Sequence, residues 1–180
     1  MGFSEETSRA LAAKLSEKHV RHREMNGMTL SYVEGWHTIA EANRIFGYDA
    51  WNRETVSLKC VGDSRINGEH RCSYVAKVRV TVRAGDVTVA REGTGAGHGA
   101  ASMIGEAHER ASKEAETDGM KRALATFGNP FGLALYDPEK RNVRKLGGRK
   151  RGGGQDGGLP WVLTGQEGCR QSAYAKPVDL

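Results

Sequence analysis

Lys121 and Arg122 stand side by side in the stretch ETDGMKRALATFGNPFG, residues 116–132, shortly before Gly128 and Pro130 stop what reads as a helix. Successive residues on a helix point about 100° apart, so two adjacent cations opposite a buried stripe cannot both face plain solvent unless one lines the edge of a groove. Such a pair would bind an anion; cations in the last turns of a helix also suit its dipole, and the residues alone leave both readings open. A second cationic set, Lys77, Arg79 and Arg83, alternates along SYVAKVRVTVR, residues 73–83. It is either a row of positive charge for a ligand or an ordinary solvated strand face. The Gly-rich run GTGAGHG, residues 93–99, precedes a helix as phosphate-binding loops do. It lacks GK[ST], and no strand–loop–helix–strand unit with a downstream ribose-binding acid surrounds it, so it reads as a flexible hinge between hairpin and helix. His98 and His108 are not spaced as metal ligands, and no Ser/His/Asp or Cys/His grouping stands out. The expectation is a binding protein with no catalytic site, no metal and no cofactor.

The elements that must position these cations follow from pattern. Ser4 with Glu5 and Glu6 starts a helix expected over residues 4–20, with Lys18 to His22 at its carboxyl end. MTLSYVEG predicts a strand over 28–34. Trp36, Ile39, Ala40, Asn43 and Phe46 recur at helical spacing before Gly47 and predict a short helix with that face buried. ETVSLKCVG, SYVAKVRVTVR and VTVARE then read as three antiparallel strands, the first two joined at Asn67-Gly68, with Tyr74, Ala76, Val78, Val80 and Val82 on the apolar face. A helix from about Ala100 to Phe127 supplies the cover. The fold class is α+β: a three-stranded antiparallel β-sheet packed on a long helix, with additional helices.

With 180 residues, 38% hydrophobic and 27% charged, the chain suits one ordinary domain plus a polar extension. The net charge of +5 is unevenly placed: residues 1–136 hold 18 Lys/Arg against 17 Asp/Glu, and residues 137–180 hold 9 against 5. The folded part must therefore concentrate its cations locally, and the boundary falls between a domain at 1–138 and a basic, Gly-rich tail at 139–180 expected to be flexible. Its apolar island LPWVLTG, residues 159–165, either docks a partner or packs back on the domain. Cys60, Cys72 and Cys169 suggest neither a disulfide framework nor a zinc site. No stretch approaches the roughly 20 apolar residues of a membrane span. The first residues resemble neither a secretory leader nor a transit peptide, so a cytoplasmic setting is expected, nucleoid-associated in a bacterium or phage.

Two blocks carry a resemblance. LSYVEGWHTIAEANRIFGYDAWNRE, residues 30–54, contains a Phe-Gly-Tyr-x-x-Trp signature, and RASKEAETDGMKRALATFGNPFGLALYD, residues 110–137, contains a Lys-Glu-Ala-x-Thr-Asp-x-x-Lys-Arg-Ala-Leu-x-x-Phe-Gly-Asn helix end. Together they resemble the conserved domain of the Rad52 family, single-strand DNA annealing proteins of homologous recombination, over roughly residues 25–140. The resemblance implies a β-β-β-α core, assembly of subunits into an oligomeric ring, and single-stranded DNA held in a positively charged groove around it. On that pattern Lys121 and Arg122 grip phosphates at the groove floor, Tyr48 lines the same groove, and Arg83, at the hairpin end, offers an additional DNA path; Lys77 and Arg79 on its strand remain candidates from their spacing. His37 and Ala125 stand where the family has arginines, which implies a weaker or differently shaped groove, His37 adding charge mainly below about pH 6.5. The implied function is ATP-independent binding of single-stranded DNA and annealing of complementary strands in recombination and repair; LPWVLTG in the tail either docks a recombinase or single-strand-binding protein or packs back on the domain. The alternative is a general single-strand DNA or RNA binding protein without annealing activity.

Overall fold

The computed structural model describes residues 2–146 apart from Asn26. Helix α1 (Glu5–Ala12) leads into the short strand β1 (Leu15–Ser16), a 3-10 turn at Glu17–His19, and the hairpin β2 (Val20–Met25) and β3 (Met28–Val33). Helix α2 (Gly35–Phe46) follows, then the long strands β4 (Trp51–Ile66), β5 (Glu69–Ala84) and β6 (Val87–Ala101), helix α3 (Ile104–Ala125), two 3-10 turns and β7 (Val143–Arg144). The main sheet is antiparallel in the order β4-β5-β6, as the alternation predicts. Asn67 and Gly68 both take positive φ at the β4–β5 turn, the geometry for which that dipeptide is suited. Ala76, Val78, Val80 and Val82 are fully buried beneath α3, together with Met120, Ala123 and Leu124 from the helix.

The Gly-rich run is no hinge. Strand β6 continues through residues 93–99, paired with β5 from Gly93↔Val78 to Gly99↔Cys72. Gly93, Gly95, Gly97 and Gly99 alternate with Thr94, Ala96 and His98, so every glycine faces α3 and the larger residues face away. A Cβ on any of the four would sit less than 3.0 Å from the helix backbone, meeting Gly119, Ala115, Ala111 and Ala107 in turn. Two residues along a strand advance about 6.7 Å and four along a helix about 6.0 Å, so the two rows stay nearly in step through four repeats. Glycine content that reads as flexibility in one dimension is here the condition for backbone-to-backbone packing.

Three other expectations are corrected. Helix α1 stops at Ala12 rather than near residue 20, because Ala13 is extended and Leu15 leaves the helix to be buried with Val20, Val33 and Ala134. Its amide donates to Asn142 O at 2.9 Å, which fixes β1 parallel to β7. In α2 the buried residues are His37, Thr38 and Ala42, while Trp36 and Ile39 are exposed. The stripe is rotated because Thr38 loses its polarity by donating to Gly35 O at 2.7 Å and can pack as a small residue. Gly128 does not cap α3 in a left-handed conformation; its φ is 168°, and Thr126 already closes the helix. A Cβ at Gly128 would collide with the Leu11 carbonyl, so this glycine admits the end of α1 against the end of α3. Phe46 completes the joint, stacked on Phe131 at 5.7 Å and edge-on to Phe127 at 5.4 Å.

Beyond the boundary expected at residue 138, Val143 and Arg144 pair with Leu15 and Ser16, and Lys140 Nζ donates to Ser31 Oγ at 2.8 Å. The basic run from residue 147 and LPWVLTG lie outside the described residues.

Gly97→Ala should lower the unfolding free energy by about 3 kcal/mol in urea titrations, the cost of overpacking against a backbone that cannot yield. Gly105→Ala, in α3 with open space at its Cβ, should be neutral or stabilising by about 0.5–1 kcal/mol. Equal effects at the two positions would contradict the packing role.

Candidate nucleic-acid interface

Because α3 is pinned to β6 along most of its length, its last turns project at a fixed angle past the β2–β3 hairpin. Lys121 is half-buried there. Its Nζ donates to Val33 O at 3.4 Å and lies 5.5 Å from the centroid of the Tyr32 ring. On the same ring Arg23 places its guanidinium carbon at 6.0 Å, so Tyr32 carries two cations from different elements. Arg53 of β4 reaches the neighbouring Met120, donating from Nη1 to Sδ at 3.6 Å. Burial draws the Lys121 ammonium below its usual pKa, Asp118 opposes that shift, and Arg23 and Arg122 reinforce it. Arg122 is exposed and bound to Asp118 at 2.8 Å, whose hydrogen bond and charge hold the guanidinium pKa above its usual value.

No carboxylate among the described residues forms an ion pair with Lys121, Arg23 or Arg53. A partly desolvated ammonium held only by a carbonyl and a ring face gains by meeting an oxyanion, which returns the charge-assisted hydrogen bonds that burial removed. The group is thus a small cationic shelf with an aromatic centre, chemistry suited to phosphates and stacked bases. Arg23 and Tyr32 carry no signal in spacing; the hairpin that brings them to α3 is visible only once residues 20–33 are seen to fold back on themselves.

The remaining sequence candidates make contacts of their own. Lys77 and Arg79 do lie together on the open face of β5, but Glu92 binds both, at 2.6 and 2.8 Å, and Glu54 adds a second acid to Arg79 at 3.6 Å. Each of the two cations is thus paired within the sheet, an ion-pair network on a solvated strand face. Tyr48 is 87% exposed in the turn after α2. Arg83 reaches into that turn, donating to the Asp49 carbonyl, so these two share a corner. Ala125 is buried. His37 is only 5% exposed, and its ring stacks on His19 at 3.9 Å with 13° between planes. It faces the chain's own residues 13–19 across a cleft that Lys121 does not line.

Among the described residues no set of three or more His, Cys, Asp or Glu side chains converges as metal ligands, and no helix is long and apolar enough to cross a membrane.

Residues 4–151 match the family described as Rad52/22 family double-strand break repair protein. The DNA repair and recombination protein RAD52 of Saccharomyces cerevisiae is 36% identical over 142 residues, covering 76% of this chain and 29% of the relative. The DNA repair and recombination protein rad22 of Schizosaccharomyces pombe is 34% identical over 149 residues, covering 78% and 30%. The DNA repair and recombination protein radC of Emericella nidulans is 32% identical over 149 residues, covering 76% and 24%. The chain spans less than a third of the length of these relatives.

The histidine stack sets a pH dependence. Burial, then the charges of Lys18 on His19 and of His19 on His37, hold both rings below the ordinary imidazole value. The unfolded chain then takes up more protons than the fold below about pH 6.5, so this stabilisation is complete above that pH and lost as pH falls through the lower folded values. The melting temperature should drop between pH 7.5 and 5.5, and His37→Phe, which keeps a ring in the stack, should flatten that drop. An unchanged slope in the variant would assign the acid sensitivity elsewhere.

Proposed function

The chain belongs to the Rad52/22 family of double-strand break repair proteins, and on that premise we propose that it binds single-stranded DNA without sequence preference and anneals complementary strands in homologous recombination and repair. The observation that carries this reading is the shelf of Lys121, Tyr32 and Arg23, whose cations pair with no carboxylate among the described residues and sit beside a ring face. Arg122 contributes from the adjacent position, exchanging Asp118 for a phosphate.

The mechanism needs no bond chemistry, and no nucleotide is consumed. Phosphates rest on Lys121, Arg23 and Arg122, contacts that act regardless of sequence. The backbone so held is extended, with base edges turned away from the protein, and a complementary strand tests its register against them. Pairing itself supplies the specificity. One shelf offers few contacts, so the proposal includes assembly of several copies into a ring, which repeats the shelf along one strand and turns modest affinity into avid binding. Tyr48, exposed in the turn after α2, is proposed to line the same groove, and Arg83, held to that turn, to offer an additional DNA path. Lys77 and Arg79 take part only where a phosphate displaces Glu92.

Lys121→Ala/Arg122→Ala should weaken binding of an oligothymidylate by at least about tenfold near 0.1 M salt and reduce the slope of log K against log salt by about 1.4, that is, about 0.7 per lost phosphate contact. Annealing of complementary oligonucleotides without ATP should fall with it. Normal affinity and slope in the double variant would remove the shelf assignment; normal binding by the wild type with no strand pairing would favour the general single-strand DNA or RNA binding reading.

A further inference from the structure

The cleft behind the histidine stack has properties that the single-strand shelf does not use. It is a cavity of about 450 Å³ between residues 13–19, the outer stripe of α2 and β7. Lys14 and Lys18 line it from the N-terminal segment, Arg44 from α2, and Arg144 from β7. The stacked rings of His19 and His37 form part of its wall. Glu41 is the single carboxylate in the lining, and Arg44 already occupies it, donating from Nη2 at 2.6 Å and from Nε at 3.1 Å. Lys14, Lys18 and Arg144 form no ion pair with any carboxylate among the described residues.

Arg144 is not there by chance of a long side chain. The parallel ladder places it opposite Ser16, and Leu15 N bonding to Asn142 O sets that register. The fold thus carries a cation back to a segment that already holds two, fastened there by the ladder, by Val143 packed against the cluster of Leu15 and Val33, and by the Leu146 amide donating to Glu17 Oε2 at 3.1 Å. Convergent cations in a concave site, short of carboxylates, raise the local potential and are relieved by an oxyanion. Imidazole nitrogens on the wall add hydrogen-bonding groups that serve either as donor or as acceptor.

We propose that this cleft is a second anion site that takes a phosphate group, separate from the Lys121 shelf. None of its lining residues belongs to that shelf. The volume exceeds what a bare phosphate fills and admits the sugar attached to it, so the group comes either from a free phosphate or nucleotide or from the phosphorylated end of a strand. The chemistry of recognition is the same for both.

The experiment uses the full chain in two arms. In the first, calorimetric titration with pyrophosphate compares wild type with Lys14→Ala/Arg144→Ala and with Lys18→Ala; all three positions are exposed, and thermal melts report folding of each variant. The expected result is a dissociation constant at least tenfold higher in the double variant and several-fold higher in Lys18→Ala. In the Lys121→Ala/Arg122→Ala protein the part of pyrophosphate binding that depends on Lys14 and Arg144 should persist, and adding Lys14→Ala/Arg144→Ala to it should remove that part, which separates this site from the single-strand shelf whichever of the two fails. In the second arm, oligothymidylates with a 5′-phosphate or a 5′-hydroxyl are compared. A preference for the phosphorylated end that vanishes in Lys14→Ala/Arg144→Ala assigns the strand end as the source; equal binding of the two oligonucleotides, with pyrophosphate binding lost in the variant, assigns a free phosphate or nucleotide. Pyrophosphate binding that is absent in wild type, or unchanged in folded variants, overturns the proposal.

Discussion

The close approach of α3 to β6 is the constraint on which the rest of the molecule depends. Four glycines spaced by two on the strand meet Ala107, Ala111, Ala115 and Gly119, spaced by four on the helix, with no side chain between the two backbones. Glycine in a strand interior costs conformational entropy and packs nothing of its own. The contact offsets that cost by bringing carbonyls and amides of one element against the other over most of the 22 residues of α3, leaving the helix little freedom to slide or tilt. The last turn of α3, where Lys121 and Arg122 sit, inherits that rigidity. Gly128, Leu11 and the cluster of Phe46, Phe127 and Phe131 then close the helix end against α1 and α2.

With the scaffold fixed, function turns on which cations are left with unmatched charge. The body is nearly neutral, so its total charge says little. Lys77 and Arg79 are close together and yet spent on Glu92 and Glu54. Among the described residues Lys121 and Arg23 share Tyr32 and pair with no carboxylate, and the cleft beside His37 gathers Lys14, Lys18 and Arg144 around an acid that Arg44 already holds. Placement relative to acids from other elements separates these groups, and the count of basic residues does not.

That distinction marks how far the sequence can be read. The three strands, the Asn67-Gly68 turn and the covering helix are local patterns, and all are present. The place of Lys121 and Arg122 near the end of that helix was legible because helical spacing is local too; the residues alone left their role open. What sequence could not convey depends on contacts between distant segments. Glycine at alternate positions looks like a loop until a helix backbone is laid against it. Thr38 counts as polar until its hydroxyl is satisfied within its own turn. His37 meets His19, Arg23 and Lys121 meet on Tyr32, and Glu92 reaches back to Lys77, each across a separation that no spacing rule covers.

The central claim, that unpaired nucleic acid lies across the end of α3 and the β2–β3 hairpin, is tested most directly by amide hydrogen exchange with and without saturating oligothymidylate. The account predicts slowed exchange in residues 28–34 and 117–125, with the β4–β5 hairpin tip at residues 62–70 unchanged. Protection confined to the sheet face around Lys77 and Arg79, with both of those segments exchanging as in the free protein, would contradict it.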